Sequence, residues 1–213
     1  MQEFAGGLSM GKFGDYWASQ SGNRRGFIGK IVTWAMNRAN SVMYRGIITK
    51  MKPLDSMRIL DIGFGNGYLE KLIYKQAKCQ IEGVDISEDM VNVATKNNKE
   101  AVSKGMVHFA IGDCCDLAFA DLSFDVVITM NTIYFWEDTI KGLKEIHRVL
   151  KENGVFYNAV LTKESLDNVF YTKNGFKKFE DEEYVQMGKE AGFSHTSITA
   201  LGHKYGILIE YKK

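Results

Sequence analysis

Arg58-Ile59-Leu60-Asp61-Ile62-Gly63-Phe64-Gly65-Asn66-Gly67-Tyr68-Leu69 decides how this chain is read. A short apolar strand runs into a turn with glycine at every second position, and the turn opens a helix carrying Leu69, Leu72 and Ile73. Gly63, Gly65 and Gly67 have no Cβ and tolerate positive φ. A ligand can therefore lie against bare backbone while the first helical N–H groups point at its polar end. A dinucleotide loop, G-x-G-x-x-G, needs glycine at 68, where Tyr68 stands. The pattern is instead D-x-G-x-G-x-G, and a carboxylate at Asp61 repels a pyrophosphate but attracts an ammonium group. Taken alone, the loop leaves another nucleotide-binding α/β fold open.

Leu60 to Leu69 resembles the first motif of the class I S-adenosylmethionine (SAM) dependent methyltransferases, and within them the small-molecule branch of ubiquinone and menaquinone biosynthesis. The resemblance implies SAM as cofactor. It places the methionine part of SAM on the glycine loop, with Asp61 near its amino group. It also implies a Rossmann-like α/β fold: a seven-stranded, mostly parallel sheet with helices on both faces and a C-terminal antiparallel hairpin.

Further along, Cys79 to Asp85 reads as the second strand, followed by a helix from Glu88 to Lys104. Asp85 falls 22 residues after Gly63, where a carboxylate can accept from both ribose hydroxyls. The alternative is that Asp85 only helps Ser87 cap the helix. Ile86 and Met90, one helical turn apart, can cover an adenine face or simply fill core. Strand three, Val107 to Ile111, ends in Gly112-Asp113-Cys114; the resemblance assigns Asp113 and the next backbone N–H to the adenine edge. Strand four, Phe124 to Met130, is a continuous apolar run suited to a central parallel strand. It exits through Asn131 and Thr132, assigned to the cofactor, into Tyr134, Phe135 and Trp136, and ligands of such sheets collect at this end. The family often carries a histidine near here, and this sequence does not.

A helix from Asp138 to Lys151, ended by Asn153-Gly154 as a glycine cap, precedes strand five, Val155 to Leu161. After the helix Asp181 to Ala191, strands at Thr196 to Ala200 and Tyr205 to Tyr211 are too close for a crossover and must form a hairpin. The chain of 213 residues is expected to be one domain, 1–213, burying about 70% of its unfolded surface. Residues 1–52 form an arm and helical N-terminal cap, 57–213 the SAM-binding core, and 162–178 an insertion on the substrate side. In the arm, Gly11 to Gly26 carries Phe13, Tyr16, Trp17, Arg24 and Arg25, a composition suited to a substrate cover or to an arm packed on the body. Gly29-Lys30 is not a P-loop, because Arg24 and Ile31 occupy its first glycine and Ser/Thr positions. From 27 to 51 apolar residues follow helical spacing up to Pro53. Tyr16, Trp17, Arg24, Tyr134, Trp136 and Tyr171 are the expected substrate contacts.

The net charge of +1 gives no whole-molecule case for nucleic acid or an anionic membrane. The charge is uneven, however: residues 1–58 hold nine Lys or Arg against three acids. That split suits a basic cap on an acidic body, or an anionic substrate. Cys79, Cys114 and Cys115 form no disulfide framework, and no C-x-x-C or H-x-x-x-H spacing occurs, so no metal and a reduced, cytoplasmic setting are expected. No apolar run reaches about 18 residues, and Met1 to Gly7 read as a leader with Met10 as an alternative start. No catalytic triad is present. If a base is needed, Tyr134, His147 and His195 are the candidates, each also readable as structural; of these Tyr134 lies nearest the expected site. The expected partner is a small organic acceptor. A nicotinamide-dependent dehydrogenase, a SAM-binding scaffold that transfers nothing and a nucleic-acid methyltransferase are the rival readings.

Overall fold

The computed structural model of the chain describes residues 37–38, 40–168, 172, 175–202 and 205–213. A single seven-stranded sheet runs in the order β3-β2-β1-β4-β5-β7-β6. Its members are β1 (Arg58–Ile62), β2 (Gln80–Asp85), β3 (Val107–Ile111), β4 (Phe124–Met130), β5 (Leu150–Leu161), β6 (His195–Leu201) and β7 (Gly206–Lys212). β1 to β5 pair in parallel, and β7 lies antiparallel between β5 and β6. The strand order reverses at β1 and β4, where sheets of this kind open a crevice at the strand carboxyl ends.

The pleat of β1 divides the interior. Leu60 and Ile62 face a core shared with Leu143, Ile146 and Val149 of α5 (Thr139–Val149) and Tyr184 of α7 (Asp181–Ala191). Ile59 joins the opposite core with Met43 and Ile47 of α1 (Ser41–Met51) and with Leu69 and Ile73 of α2 (Tyr68–Gln76). Asp61, two residues after Ile59, therefore projects to the α1 and α2 side. The remaining helices are α3 (Glu88–Asn97), α4 (Lys99–Ser103) and α6 (Lys163–Asp167). Among the described residues no helix is long and apolar enough to cross a membrane.

Two expected elements differ. The helix from Glu88 to Lys104 is broken into α3 and α4 at Asn98, whose buried Nδ2 donates to Gly67 O (2.8 Å) and Ala94 O (3.0 Å). A side chain that must reach the glycine loop wins over helical continuity. The helix expected to stop at Asn153-Gly154 ends at Val149, because Leu150 already pairs with Phe124. Val155 pairs with Val126, so residues 151–154 bulge from β5 with Asn153 at φ 63°. Asn153-Gly154 thus turns the chain inside a strand instead of capping a helix. Of the cap expected over 27–52, α1 lies on the sheet, and residues 27–36 are outside the described residues, as is the proposed cover Gly11 to Gly26.

The segment between β3 and β4 walls one side of the crevice and is held from below by Arg148. Its guanidinium donates to Leu117 O (2.9 Å) and Phe119 O (2.7 Å), and pairs with Asp121 (2.8 Å) and Glu145 (2.7 Å). The two carbonyl bonds matter more than the exposed ion pair, which is screened by water. Arg148→Ala is expected to destabilise the fold by about 2 kcal/mol, and Arg148→Lys to recover less than half, since an ammonium cannot span the same fork. Chemical denaturation of the three proteins measures this.

Candidate functional site

The glycine loop has the backbone its sequence requires. Gly63, Gly65 and Gly67 all have positive φ (74°, 57° and 72°). A Cβ at Gly63 would stand 2.4 Å from Thr132 Cγ2, and one at Gly67 would stand 2.6 Å from Asn98 Nδ2 and 2.8 Å from Ala94 Cβ. Gly67 thus serves close approach of α3 to the loop, while Gly63 lets β4's exit close against it. Thr129 Oγ1, at the end of β4, donates to Ile62 O (2.7 Å) and contacts Thr132 Oγ1, which accepts from Trp136 Nε1 (3.1 Å). A chain of hydroxyls therefore ties β1, β4 and the aromatic exit together.

One pocket opens where β1 to β4 end. Its walls include Gly63, Asp85, Ile86, Gly112, Asp113, Cys114, Thr132 and Trp136, eight of the residues singled out in the sequence. Asp85 is 6% exposed; its Oδ2 accepts from Gly65 N (3.1 Å) and its Oδ1 from Ser87 N (3.0 Å). Each oxygen keeps a lone pair for a further donor. Burial raises its pKa, and these backbone bonds oppose the rise. Ser87, not Asp85, caps α3, accepting from Met90 N (3.4 Å). Asp113 Oδ1 accepts from Cys115 N (2.9 Å). The ligand atoms of Asp113, Cys114 and Cys115 lie within 4.8 Å of one another, and burial pushes the Cys114 thiol well up.

Asp61, Gly65, Gly67, Met90, Asn131 and Tyr134 are not among the pocket walls; Asp61, Gly65 and Gly67 lie behind or beside Gly63 in the same strand and loop. Met90 packs into the α1 and α2 core. Asn131, at φ 56°, gives its Nδ2 to Met43 Sδ (3.4 Å) and takes the Tyr134 hydroxyl (3.3 Å). Tyr134 is buried, and its oxygen accepts from Leu161 N (2.6 Å), a bond that ties the exit of β4 to the end of β5. His147 stacks edge-on against Phe193 behind the sheet, and His195 starts the edge strand β6, so neither base candidate reaches the pocket. Tyr16, Trp17, Arg24 and Tyr171 lie outside the described residues. From the insertion, Phe176 packs on Tyr134 and Phe135 at 5.7 and 4.6 Å, and Lys177 Nζ donates to Trp136 O and Glu137 O. Phe135, part of the expected aromatic exit, also lines the pocket, as does Glu137, which was not singled out in the sequence. Glu137 in W-E-D looks like an ordinary helix-start acid, and only the fold turns it to the crevice. A wider groove of about 550 Å³, lined by Arg45, Lys52, Pro53 and Leu72 among others, lies near the amino end of β1, away from the strand ends where chemistry collects.

Behind the loop lies a carboxyl pair. Asp61 is 3% exposed and Glu70, in the first turn of α2, is fully buried. Burial first raises the Asp61 pKa, to about 7; a hydrogen bond from Glu70 lowers it and Asp85 raises it. Glu70 is raised well above the usual range, by burial and then by Asp61. A helix N-terminus favours an anion by about 0.3–1 kcal/mol, too little to offset a second buried charge against the first. The pair therefore holds a proton.

A family model described as "Methyltransferase domain" matches residues 60–158. The demethylmenaquinone methyltransferase of Bacteroides fragilis is 37% identical over 111 residues, covering 52% of this chain and 45% of that protein. YrhH of Bacillus subtilis, provisionally named a methyltransferase, is 31% identical over 142 residues, covering 66% of this chain and 71% of YrhH. This chain spans about half the length of the first of these relatives. In shape, it is similar to a chain of the Haloferax volcanii complex of the Trm112 methyltransferase activator and a methyltransferase. That match has a TM-score of 0.74 at 21% identity, over 84% of this chain and 92% of the other. The [4+2]-cyclase SpnF is similar too, with a TM-score of 0.71 at 16% identity over 80% of each chain. At such identities the likeness is one of fold and fixes no chemistry.

The carboxyl pair has a cost in stability that pH reveals. A carboxyl whose folded pKa is raised binds more protons folded than unfolded, so its stabilising protonation is lost as pH rises from about 4 through about 7. Asp61→Asn, which keeps the volume and removes the charge, is expected to melt higher than the parent at pH 8. The gap should close towards pH 5 in thermal denaturation of ligand-free protein.

Proposed function

The chain belongs to the class I SAM-dependent methyltransferases, and on that premise we propose that it moves the methyl group of SAM to a small organic acceptor by in-line displacement. SAM, the cofactor of the family, supplies an activated methyl group on a sulfonium. The protein's part is then alignment and exclusion of water. Asp85 carries this reading: a buried carboxylate that holds the loop backbone at Gly65 and also forms a wall of the pocket. Its remaining lone pairs accept from the two ribose hydroxyls. The backbone at Gly63 and Gly65 lies along the methionine part, with Asp61 balancing its amino group. Ile86, 46% exposed at the pocket, covers the adenine, and Asp113 with the Cys114 N–H meets the adenine edge.

The acceptor approaches over Phe135, Trp136 and the insertion, in our reading with help from Tyr16, Trp17, Arg24 and Tyr171. Glu137 takes the proton where the nucleophile must lose one. An aromatic entrance suits a flat, apolar acceptor, and the Bacteroides fragilis relative is by name a demethylmenaquinone methyltransferase, so a quinol is the first class to test. The domain plan goes with this: 57–213 as cofactor core, 1–52 as cap and 162–178 as the acceptor-side insertion, in one domain. A second reading, a SAM binder that transfers nothing, draws on the buried Tyr134 hydroxyl.

Calorimetry with S-adenosylhomocysteine should show binding, and Asp85→Ala should weaken it by about 1–3 kcal/mol without unfolding the protein. Unchanged affinity would remove the ribose role. With methyl-labelled SAM and a quinol, label is expected in the quinol and lost in Asp85→Ala. Tight S-adenosylhomocysteine binding with no label in any small-molecule fraction of a cell extract would favour the second reading.

A further inference from the structure

Glu70 has no evident reason to be an acid. It is fully buried, and neither of its oxygens finds a hydrogen-bond partner among the described residues unless the Asp61 carboxyl supplies one. An acid serving only the helix N-terminus sits exposed and ionised; this one is enclosed against a second carboxyl. Two interacting carboxyls enclosed away from water cannot both ionise, so the pair shares one proton. The ionisable groups acting on the cluster come from every side: Asp85 from β2, Asp61 from β1, and Tyr44 from α1, whose phenol burial keeps neutral. Asp85 is already engaged by the N–H groups of Gly65 and Ser87.

We propose that Glu70 is a positioning residue of the amino-group site: as a neutral carboxylic acid it donates its proton to Asp61 and so holds Asp61 as the anion that receives the cofactor's ammonium. This rests on the reading above that Asp61 balances that ammonium. Asp61 is the member that ionises, because it keeps 3% of its surface open whereas both Glu70 oxygens are fully enclosed without another partner, where a charge is costliest. The proton balance follows. Below the ionisation of Asp61 the free pair carries two protons; arrival of the ammonium expels the one on Asp61 to solvent, and Glu70 keeps its own. Binding therefore strengthens with pH until Asp61 ionises unaided.

The test is the pH profile of S-adenosylhomocysteine affinity from pH 5.5 to 8.5, with proton release counted calorimetrically in two buffers of different ionisation enthalpy. The intact chain should gain affinity towards about tenfold per unit below neutrality and level off above it. Glu70→Leu deprives Asp61 of its donor, so the rise should move to higher pH, with about tenfold weaker binding at pH 7. Glu70→Gln can still donate from its amide and should restore the parent profile. A Glu70→Leu profile that coincides with the parent, or a Glu70→Gln profile displaced to lower pH, overturns the proposal; the second holds even if the leucine variant does not fold. Asp61→Asn separates the two layers. If it binds weakly and without pH dependence, the ammonium reading stands and the Glu70 variants decide. If it binds like the parent, that reading and the proposal built on it both fall.

Discussion

The carboxylate of Asp85 joins two pieces of backbone, Gly65 in the first crossover and Ser87 in the second. Without that joint the glycine loop would be a flexible turn at the end of a strand. With it, the loop, the end of β2 and the start of α3 form one rigid corner, and the pocket takes its shape from that corner. Asn98 holds the same loop from the other side through Gly67 O, at the expense of a continuous helix. Polar side chains thus add to the apolar packing of the loop, whose buried Phe64 lies against Phe109.

The same corner concentrates acids. Asp61, Glu70 and Asp85 all lie on the α1 and α2 side of the sheet, buried, within electrostatic reach of one another. Such a cluster lowers stability, and natural proteins keep such arrangements where a ligand repays the cost. A cationic amino group fits that requirement, which is why the cofactor assignment and the electrostatics point the same way. The opposite side of the crevice is apolar and aromatic, with Trp136 fixed through Thr132 and Thr129 to the end of β1. An acidic side and an aromatic side thus meet at Gly63.

Family and acceptor rest on different grounds. Family follows from the match of residues 60–158 to a methyltransferase model and from a relative matched over 71% of its length. The acceptor is a separate question, because one fold carries many chemistries and the choice among them lies in the site and not in the scaffold.

The sequence by itself determined the strand, loop and helix at 58–76, the acids at Asp61 and Asp85, the parallel central strands and the closing hairpin. Each of these is a local pattern: glycine spacing, an apolar run, or a connection too short for a crossover. Glu70, Glu137 and Asn98 were not legible, because in sequence they are ordinary helix residues. Only packing puts Glu70 against Asp61, turns Glu137 to the pocket and brings Asn98 to Gly67. The surroundings of Tyr134 were likewise decided in three dimensions, where its hydroxyl accepts from Leu161 N at the end of β5. Backbone conformation follows from neighbours in the chain, whereas the ionisation of a carboxyl depends on what surrounds it in space, and that is set only when α2 closes on β1.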